Sequence, residues 1–217
     1  LSKEYNVRMF IYASSSSVYG NNKHNILSEK SDTGMPISPY GVSKKSNEMM
    51  ASAYSSLYNL PTLGFRFFTV YGPWGRPDMS LFKFVDSIFK NKKIEIYNNG
   101  NHKRDFTYID DVVSALSKSI LVFLSEKKIK KFFKKKTPFL ILNISGNKTI
   151  NLMNYVDLIS KKIGKKPKIS FKKLQLGDVI KTTANISNTR KILGYNPKTS
   201  LSKGITTFIN WYKEYYK

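Results

Sequence analysis

The chain has 217 residues, of which 41% are hydrophobic; this is enough for a buried core and excludes a disordered chain. It carries a formal net charge of +23 and no cysteine, so disulfides, thiolate metal sites and cysteine nucleophiles are excluded. Its apolar runs are too short to span a bilayer, and residues 1–8 lack the pattern of a signal peptide. We therefore expect a globular, cytoplasmic protein with no membrane-embedded part.

The positive charge is spread along the whole chain, mostly on the polar sides of amphipathic segments. Such a distribution favours a general compositional bias over a phosphate-binding patch, so we expect no nucleic-acid partner. The densest basic run, residues 127–136, is predicted to be a solvated loop. Phe132 and Phe133 within it leave membrane or nucleic-acid contact as the alternative.

The first third of the chain alternates between predicted strands and one helix. Residues 8–13 form a short apolar run, typical of a strand buried on both faces, and a serine cluster follows it. Residues 40–59 have helical periodicity that ends before Pro61, and residues 62–71 again resemble a strand. Strand, helix and strand in this order predict a parallel βαβ unit.

The rest of the chain continues the mixed pattern. The apolar spacing predicts helices over 80–92, from 110 onward, from 152 to a cap at 164, over 187–193 and around 205–212, with strands over 94–97 and 139–144. We therefore predict an α/β fold, with a parallel sheet and a smaller, mixed C-terminal lobe.

The strongest chemical pattern is Tyr40-Gly-Val-Ser-Lys44 at the start of the first helix. Residues four apart share a helix face, so the phenol and the ammonium group come together, and a nearby cation favours the phenolate that a base needs. The pattern is common on ordinary helices, but the serines at 14–17 strengthen it. A hydroxyl at that strand end could bond the same substrate oxygen that the phenol deprotonates.

Four ordered motifs carry a resemblance to a known family. They are residues 12–20 (YASSSSVYG), 38–44 (SPYGVSK), 66–79 (RFFTVYGPWGRPDM) and 103–111 (KRDFTYIDD). Together they resemble the extended short-chain dehydrogenases/reductases that act on nucleotide sugars, and the UDP-glucuronate 4-epimerases most closely. The resemblance runs from about Arg8 to the C-terminus.

The resemblance implies a fold, a cofactor and partners. Residues 1–72, with a return strand near 139–146, would be the C-terminal part of an NAD-binding Rossmann-like domain, and residues 73–217 mainly a substrate-binding lobe. NAD would be the cofactor and a UDP-sugar the substrate, in a homodimer. The product would be a precursor of surface polysaccharide.

The resemblance also implies site residues, none of them a metal ligand. Tyr40 would be the catalytic base, Lys44 would bind the nicotinamide ribose, Ser15 would be the hydroxyl partner, and Phe67 would lie at the nicotinamide end of the cofactor. The implied substrate contacts are Ser16 and Ser17 in the sugar pocket, Thr69 and Arg76 on the glucuronate carboxylate, Tyr97 on uracil, Arg104 on the pyrophosphate and Asp178 on the nucleotide ribose.

The implied reaction is redox-neutral epimerisation at C4, with transient oxidation by NAD. Relatives that dehydrate or decarboxylate usually carry an acidic residue in the segment matching 14–19, where this chain has none, which favours epimerisation. Two alternatives remain. One is a 4-epimerase for neutral or N-acetylated UDP-sugars; the other is an inactive chain that binds a nucleotide sugar or a partner protein.

One departure from the family concerns the start of the sequence. The resemblance implies an opening strand and a Gly-x-x-Gly-x-x-Gly turn for the cofactor pyrophosphate, and this sequence has no such motif. We therefore expect the chain to be a fragment, and we expect the sheet to expose an apolar edge and face.

Overall fold

A computed structural model describes residues 1–22, 24, 26–133 and 137–216. The strands are β1 (Phe10–Ser15), β2 (Thr62–Phe67), β3 (Thr69–Tyr71), β4 (Lys93–Tyr97), β5 (Lys103–Tyr108), β6 (Phe139–Ile144), β7 (Thr149–Asn151) and β8 (Lys168–Lys172). The α-helices are α1 (Pro39–Tyr58), α2 (Ser80–Phe89), α3 (Ile109–Phe123), α4 (Glu126–Phe132), α5 (Leu152–Ile163), α6 (Ser187–Leu193) and α7 (Leu201–Tyr216).

A three-stranded parallel sheet in the order β1-β2-β6 forms the first half of the fold. Alternate residues of its strands, such as Leu63, Phe65, Leu142 and Ile144, are fully buried in a core shared with α3 and α6. Helix α1 packs on the opposite face. This arrangement confirms the predicted α/β class with a parallel sheet.

The outer edge and one face of this half are open within the described residues. Strand β1 pairs only with β2, and only its last two residues, Ser14 and Ser15, are buried. The prediction that this strand is buried on both faces is therefore wrong, because no described segment covers its edge. The side of α1 that carries Met50, Tyr54 and Leu57 is exposed, so the expected apolar face is present.

A second core joins α2, α5 and α7 to two smaller sheets. One sheet has the order β3-β5-β7, with β3 and β5 parallel and β7 antiparallel, and the other pairs β4 with β8. At its centre Phe106 and Tyr155 stack with ring centroids 4.2 Å apart. The predicted strand at 62–71 is in fact two strands, because the chain leaves the first sheet at the buried Phe68 and β3 joins another.

The basic run at 127–136 is not simply a solvated loop. Residues 126–132 form α4, and Ile129 and Phe132 pack against the first core. Phe133 is buried, with its ring 5.3 Å from that of Phe123. The apolar residues share one side of the helix and hold it on the protein, while residues 134–136 lie outside the described part of the chain. Among the described helices, none has the length and apolar character needed to cross a membrane.

Candidate functional site

The serine cluster forms a tight turn at the carboxyl end of β1. Residues 16–19 make one turn of 3-10 helix, which Ser15 caps by accepting a hydrogen bond from the backbone N–H of Ser17 at 3.1 Å. The Ser15 hydroxyl also donates to Oγ of Ser17 at 3.2 Å. Ser15 and Ser17 are therefore fixed in one local arrangement at the sheet edge.

Helix α1 begins directly against this turn. Ser38 caps the helix through the N–H of Gly41 at 3.1 Å, and Pro39 occupies its first turn. A Cβ at position 41 would lie only 2.7 Å from the carbonyl oxygen of Ser17. The glycine of the Tyr-Gly-Val-Ser-Lys motif thus permits the close approach of helix and turn.

Tyr40 and Lys44 come together as their spacing predicts. The Lys44 ammonium lies 5.9 Å from the centroid of the Tyr40 ring and donates to the carbonyl oxygen of Ala13 on β1 at 3.0 Å. Tyr40 is 51% exposed, so its phenol is accessible to a ligand. Phe67, at the end of β2, is partly buried near the same sheet edge.

A buried ionic network lies beneath the serine turn. Glu48 of α1 accepts hydrogen bonds from Ser14 at 2.6 Å and from Nε and Nη2 of Arg66, each at 2.8 Å. Burial works most strongly on the pKa of Arg66 and lowers it, but Glu48 and Tyr19 together outweigh burial, so the pKa of the guanidinium is raised. The guanidinium also stacks over the ring of Tyr19, 4.7 Å from its centroid. The network ties α1 to β1 and β2. Ser14 and Arg66 lie within the four motifs, but no pattern in the sequence indicates that they meet Glu48.

A cavity of about 140 Å³ lies next to the serine turn and gathers five of the expected substrate contacts. The five are Ser16, Ser17, Thr69, Arg104 and Asp178. They come from the turn, β3, β5 and the segment after β8, so the fold brings together residues that are far apart in sequence. Ile37 and Ser38, just before α1, form part of the same wall.

Charged groups at one end of this cavity bind one another. Arg104 Nη2 donates to Asp178 Oδ1 at 2.6 Å, and Nη1 donates to the carbonyl oxygen of Ile180 at 3.0 Å. Nε2 of the buried His102 lies 3.1 Å from Asp178 Oδ2. Burial lowers the pKa of Arg104, and burial together with the Arg104 charge lowers the pKa of His102. His102 directly precedes the motif at residues 103–111, but no pattern in the sequence assigns a role to it.

Arg76 lies outside the cavity and is paired with its neighbour. Its guanidinium makes two hydrogen bonds to the carboxylate of Asp78, and both side chains are exposed. The pKa of Arg76 is raised chiefly by these bonds, with a smaller contribution from Tyr40. Arg76 and Thr69 line a separate, narrow cavity of about 30 Å³. The structure thus brings Arg76 near both Tyr40 and Thr69.

Tyr97 is not among the residues that line either cavity. Its hydroxyl donates to Glu95 at 3.1 Å, and its backbone hydrogen-bonds the ring of His102. Tyr97 therefore contacts His102, which in turn lies beside Asp178, and Tyr97 itself is not part of the cavity wall. As for metals, no group of three or more His, Cys, Asp or Glu side chains in the described residues could hold an ion.

A parallel sheet with a Tyr-x-x-x-Lys helix and a serine turn at its carboxyl edge is typical of α/β proteins with a Rossmann-like fold. Residues 1–143 match the family described as the NAD dependent epimerase/dehydratase family, and the chain belongs to that family.

The chain is similar to CapI of Staphylococcus aureus, with 44% identity over 100% of this chain and 66% of that protein. A probable UDP-glucuronate 4-epimerase of Rhizobium meliloti is 38% identical over 100% of this chain and 65% of its own length. Among solved structures, UDP-glucuronic acid 4-epimerase from Bacillus cereus, in complex with UDP-glucuronic acid and NAD, matches with a TM-score of 0.88 and 31% identity. That match covers 98% of this chain and 64% of the other. The chain therefore spans slightly less than two thirds of the length of these proteins.

Proposed function

We propose that the protein containing this chain, called the complete protein below, is an NAD-dependent UDP-sugar 4-epimerase that interconverts UDP-glucuronate and UDP-galacturonate. The observation that carries the proposal is the shared sheet edge. Tyr40 and Lys44 lie against a serine turn whose other side lines a cavity with Thr69 and Arg104. The similarity of the chain to UDP-glucuronate 4-epimerases supports the same chemistry.

The residues of this chain suit the nicotinamide end of NAD. The Lys44 ammonium group is anchored at 3.0 Å on the carbonyl oxygen of Ala13 in β1, and Phe67 offers an aromatic surface at the end of β2. No glycine-rich turn for the cofactor pyrophosphate occurs in this sequence. The adenosine half of NAD would therefore need residues beyond those of this chain. When bound, NAD would accept the hydride from C4 of the sugar and return it.

The chain's own residues would handle the proton and the orientation of the sugar. Tyr40 would remove the proton of the sugar 4-hydroxyl, helped by the positive charge of Lys44. Ser15 would hydrogen-bond the same oxygen, and its bonds to Ser17 fix it at the start of the turn. For the return step Tyr40 would give the proton back after the sugar turns over in the pocket.

The preference for an acidic sugar is assigned to Arg76 and Thr69. A guanidinium can hold a carboxylate through two parallel bonds, and Arg76 already holds that of Asp78 in this way. The sugar carboxylate would take the place of Asp78 on Arg76.

A second candidate function is a 4-epimerase for neutral or N-acetylated UDP-sugars. It is favoured by the position of Arg76, which is exposed and lies outside the 140 Å³ cavity.

Three further assignments belong to the same proposal. Residues 1–72 with the return strand β6 would form the dinucleotide half, and residues 73–217 mainly the substrate lobe. Arg104 would bind the pyrophosphate, Asp178 the ribose and Tyr97 the uracil. The complete protein would be cytoplasmic and homodimeric through surfaces that include the exposed face of α1, and would supply precursors for polysaccharide.

Replacing Tyr40 with Phe tests the catalytic base. In the complete protein, Tyr40→Phe should abolish conversion of UDP-glucuronate while leaving calorimetric binding of the nucleotide sugar largely intact. Tyr54→Phe is the matched control, because Tyr54 lies on the same helix and is 57% exposed. Undiminished turnover in Tyr40→Phe would exclude Tyr40 as the base.

Replacing Arg76 with Ala separates the substrates. It should raise KM for UDP-glucuronate and leave KM for UDP-glucose-type sugars unchanged if the acidic sugar is the substrate.

Titration with NAD distinguishes an epimerase from an inactive binding protein. UDP binding without any NAD binding by the complete protein would favour the inactive binding protein.

A further inference from the structure

His102 is a buried imidazole for which the proposed chemistry has no role. It lies between β4 and β5 and is only 3% exposed. Its backbone N–H donates to Gly100 at 2.8 Å, and its carbonyl accepts from Leu152 at 2.9 Å. The backbone at His102 is therefore held on both sides, and the ring is enclosed by the protein.

Both ring nitrogens of His102 face acceptors. The ring bonds the backbone of Tyr97, and Nε2 lies 3.1 Å from Asp178 Oδ2. Nε2 makes no aligned hydrogen bond to any group in the described part of the chain, Asp178 included, despite this short distance. A neutral imidazole has one N–H and satisfies one of these acceptors, whereas the protonated ring has two and satisfies both.

The Asp178 carboxylate lies between two basic side chains. One of its oxygens accepts a hydrogen bond from Arg104 at 2.6 Å, and the other faces His102. The charged side chains that act on His102 among the described residues are these two, Asp178 and Arg104. Burial and the Arg104 charge lower the pKa of His102, so the ring is mainly neutral at neutral pH while Arg104 remains in this place.

A nucleotide sugar is larger than the cavity beside Arg104 and Asp178. The cavity measures about 140 Å³, whereas pockets for ligands of this kind enclose at least about 300 Å³, so its wall has to open for such a ligand. When the Arg104 guanidinium turns to the substrate diphosphate, Asp178 loses its counter-ion. The positive charge nearest His102 is then neutralised by the phosphates, and the Asp178 carboxylate needs another donor.

We infer that His102 is the positioning residue that holds Asp178 when the substrate diphosphate takes Arg104, and that it binds a proton from solvent as it does so. The inference rests on the proposed function, since it requires a diphosphate at Arg104. The proton goes to Nε2, which then donates to Asp178 Oδ2 while the other nitrogen keeps its bond to Tyr97. Protonated His102 thus links the ribose contact to the segment that carries the uracil contact.

Proton uptake can be measured directly by calorimetry. UDP-glucuronate is titrated into the complete protein in several buffers of different ionisation enthalpy at pH 7.5, in a Tyr40→Phe background so that no turnover occurs. Because the diphosphate of this ligand is esterified at both ends, it does not itself titrate near neutrality. We expect uptake of about one proton per bound ligand.

Two replacements of His102 distinguish the role of its hydrogen-bond donor from the role of its volume. His102→Leu fills the space without a donor and should abolish proton uptake and weaken binding about tenfold. His102→Gln keeps a donor and should recover most of the affinity with no proton uptake. His24→Asn is the matched control, because His24 is exposed and is not among the residues that line the 140 Å³ cavity, so its replacement should change neither quantity. In a Tyr40-containing protein, His102→Leu should raise KM and leave kcat nearly unchanged.

The outcomes are distinct. Binding without proton uptake, or equal affinities for the Leu and Gln variants, would overturn the role of His102 and leave the proposed function standing. If His102→Leu does not fold, His102→Gln decides alone, because unchanged proton uptake in that variant would also overturn the inference. Absence of any UDP-sugar binding by the parent protein would instead contradict the proposed function and remove the basis of the inference.

Discussion

The buried pair of Glu48 and Arg66 offers the sharpest test of how the site is held together. Glu48 accepts one bond from Ser14 at 2.6 Å and two from Arg66 at 2.8 Å, and both charged side chains are about 3% exposed. Glu48→Gln keeps the shape but removes the charge, which leaves a buried guanidinium without its counter-ion. Removing one partner of a buried pair costs about 3–5 kcal/mol.

This cost can be read from denaturation of the complete protein. Urea titration should show the loss in the free energy of unfolding, and the melting temperature should fall by about 6–20 °C, at roughly 2–4 °C per kcal/mol. Glu95→Gln breaks an exposed pair with Lys172 at 3.6 Å and should cost less than about 1 kcal/mol. Replacing Glu48 and Arg66 together with Leu should recover part of the stability. If Glu48→Gln costs no more than the Glu95 control, the network does not hold α1 to the sheet.

Two other predictions concern the start of α1 and the loop that carries Arg76. Gly41→Ala should destabilise the protein by about 1–3 kcal/mol despite the better helix propensity of alanine, because its Cβ would crowd the carbonyl of Ser17; a stabilised variant in thermal melts would contradict this contact. Trp74→Ala should raise KM for UDP-glucuronate about tenfold with little change in kcat, because the Trp74 ring packs at an angle against two aromatic residues of α7 and so holds the loop of Arg76. Steady-state kinetics with unchanged KM would show that this packing has no part in placing Arg76.

Local patterns in the sequence predicted local structure well. The helix at 187–193 and the strand at 139–144 have the predicted bounds, and Gly164 ends its helix in the left-handed conformation as expected. The serine turn and the Tyr-x-x-x-Lys helix also meet at the sheet edge. Such features depend on residues that are close in sequence, where periodicity and capping decide the conformation.

Long-range pairing accounts for what the sequence did not reveal. The strand at 62–71 divides because β3 pairs with β5, and β7 and β8 are short strands stabilised by distant partners. The sequence pattern of helix α4 indicates a loop because its four lysines outnumber its two apolar residues, Ile129 and Phe132. Glu48 with Arg66, and His102 with Asp178, meet only in the folded chain, so no spacing along the sequence could indicate them.

The most direct test of the central claim is conversion of the proposed substrate. The purified complete protein is incubated with NAD and UDP-glucuronate, and the sugars are separated by chromatography. We expect UDP-galacturonate to form, the same final mixture to arise when the reaction starts from UDP-galacturonate, and the Tyr40→Phe variant to convert neither sugar. A protein that binds NAD and UDP but interconverts neither sugar would contradict it.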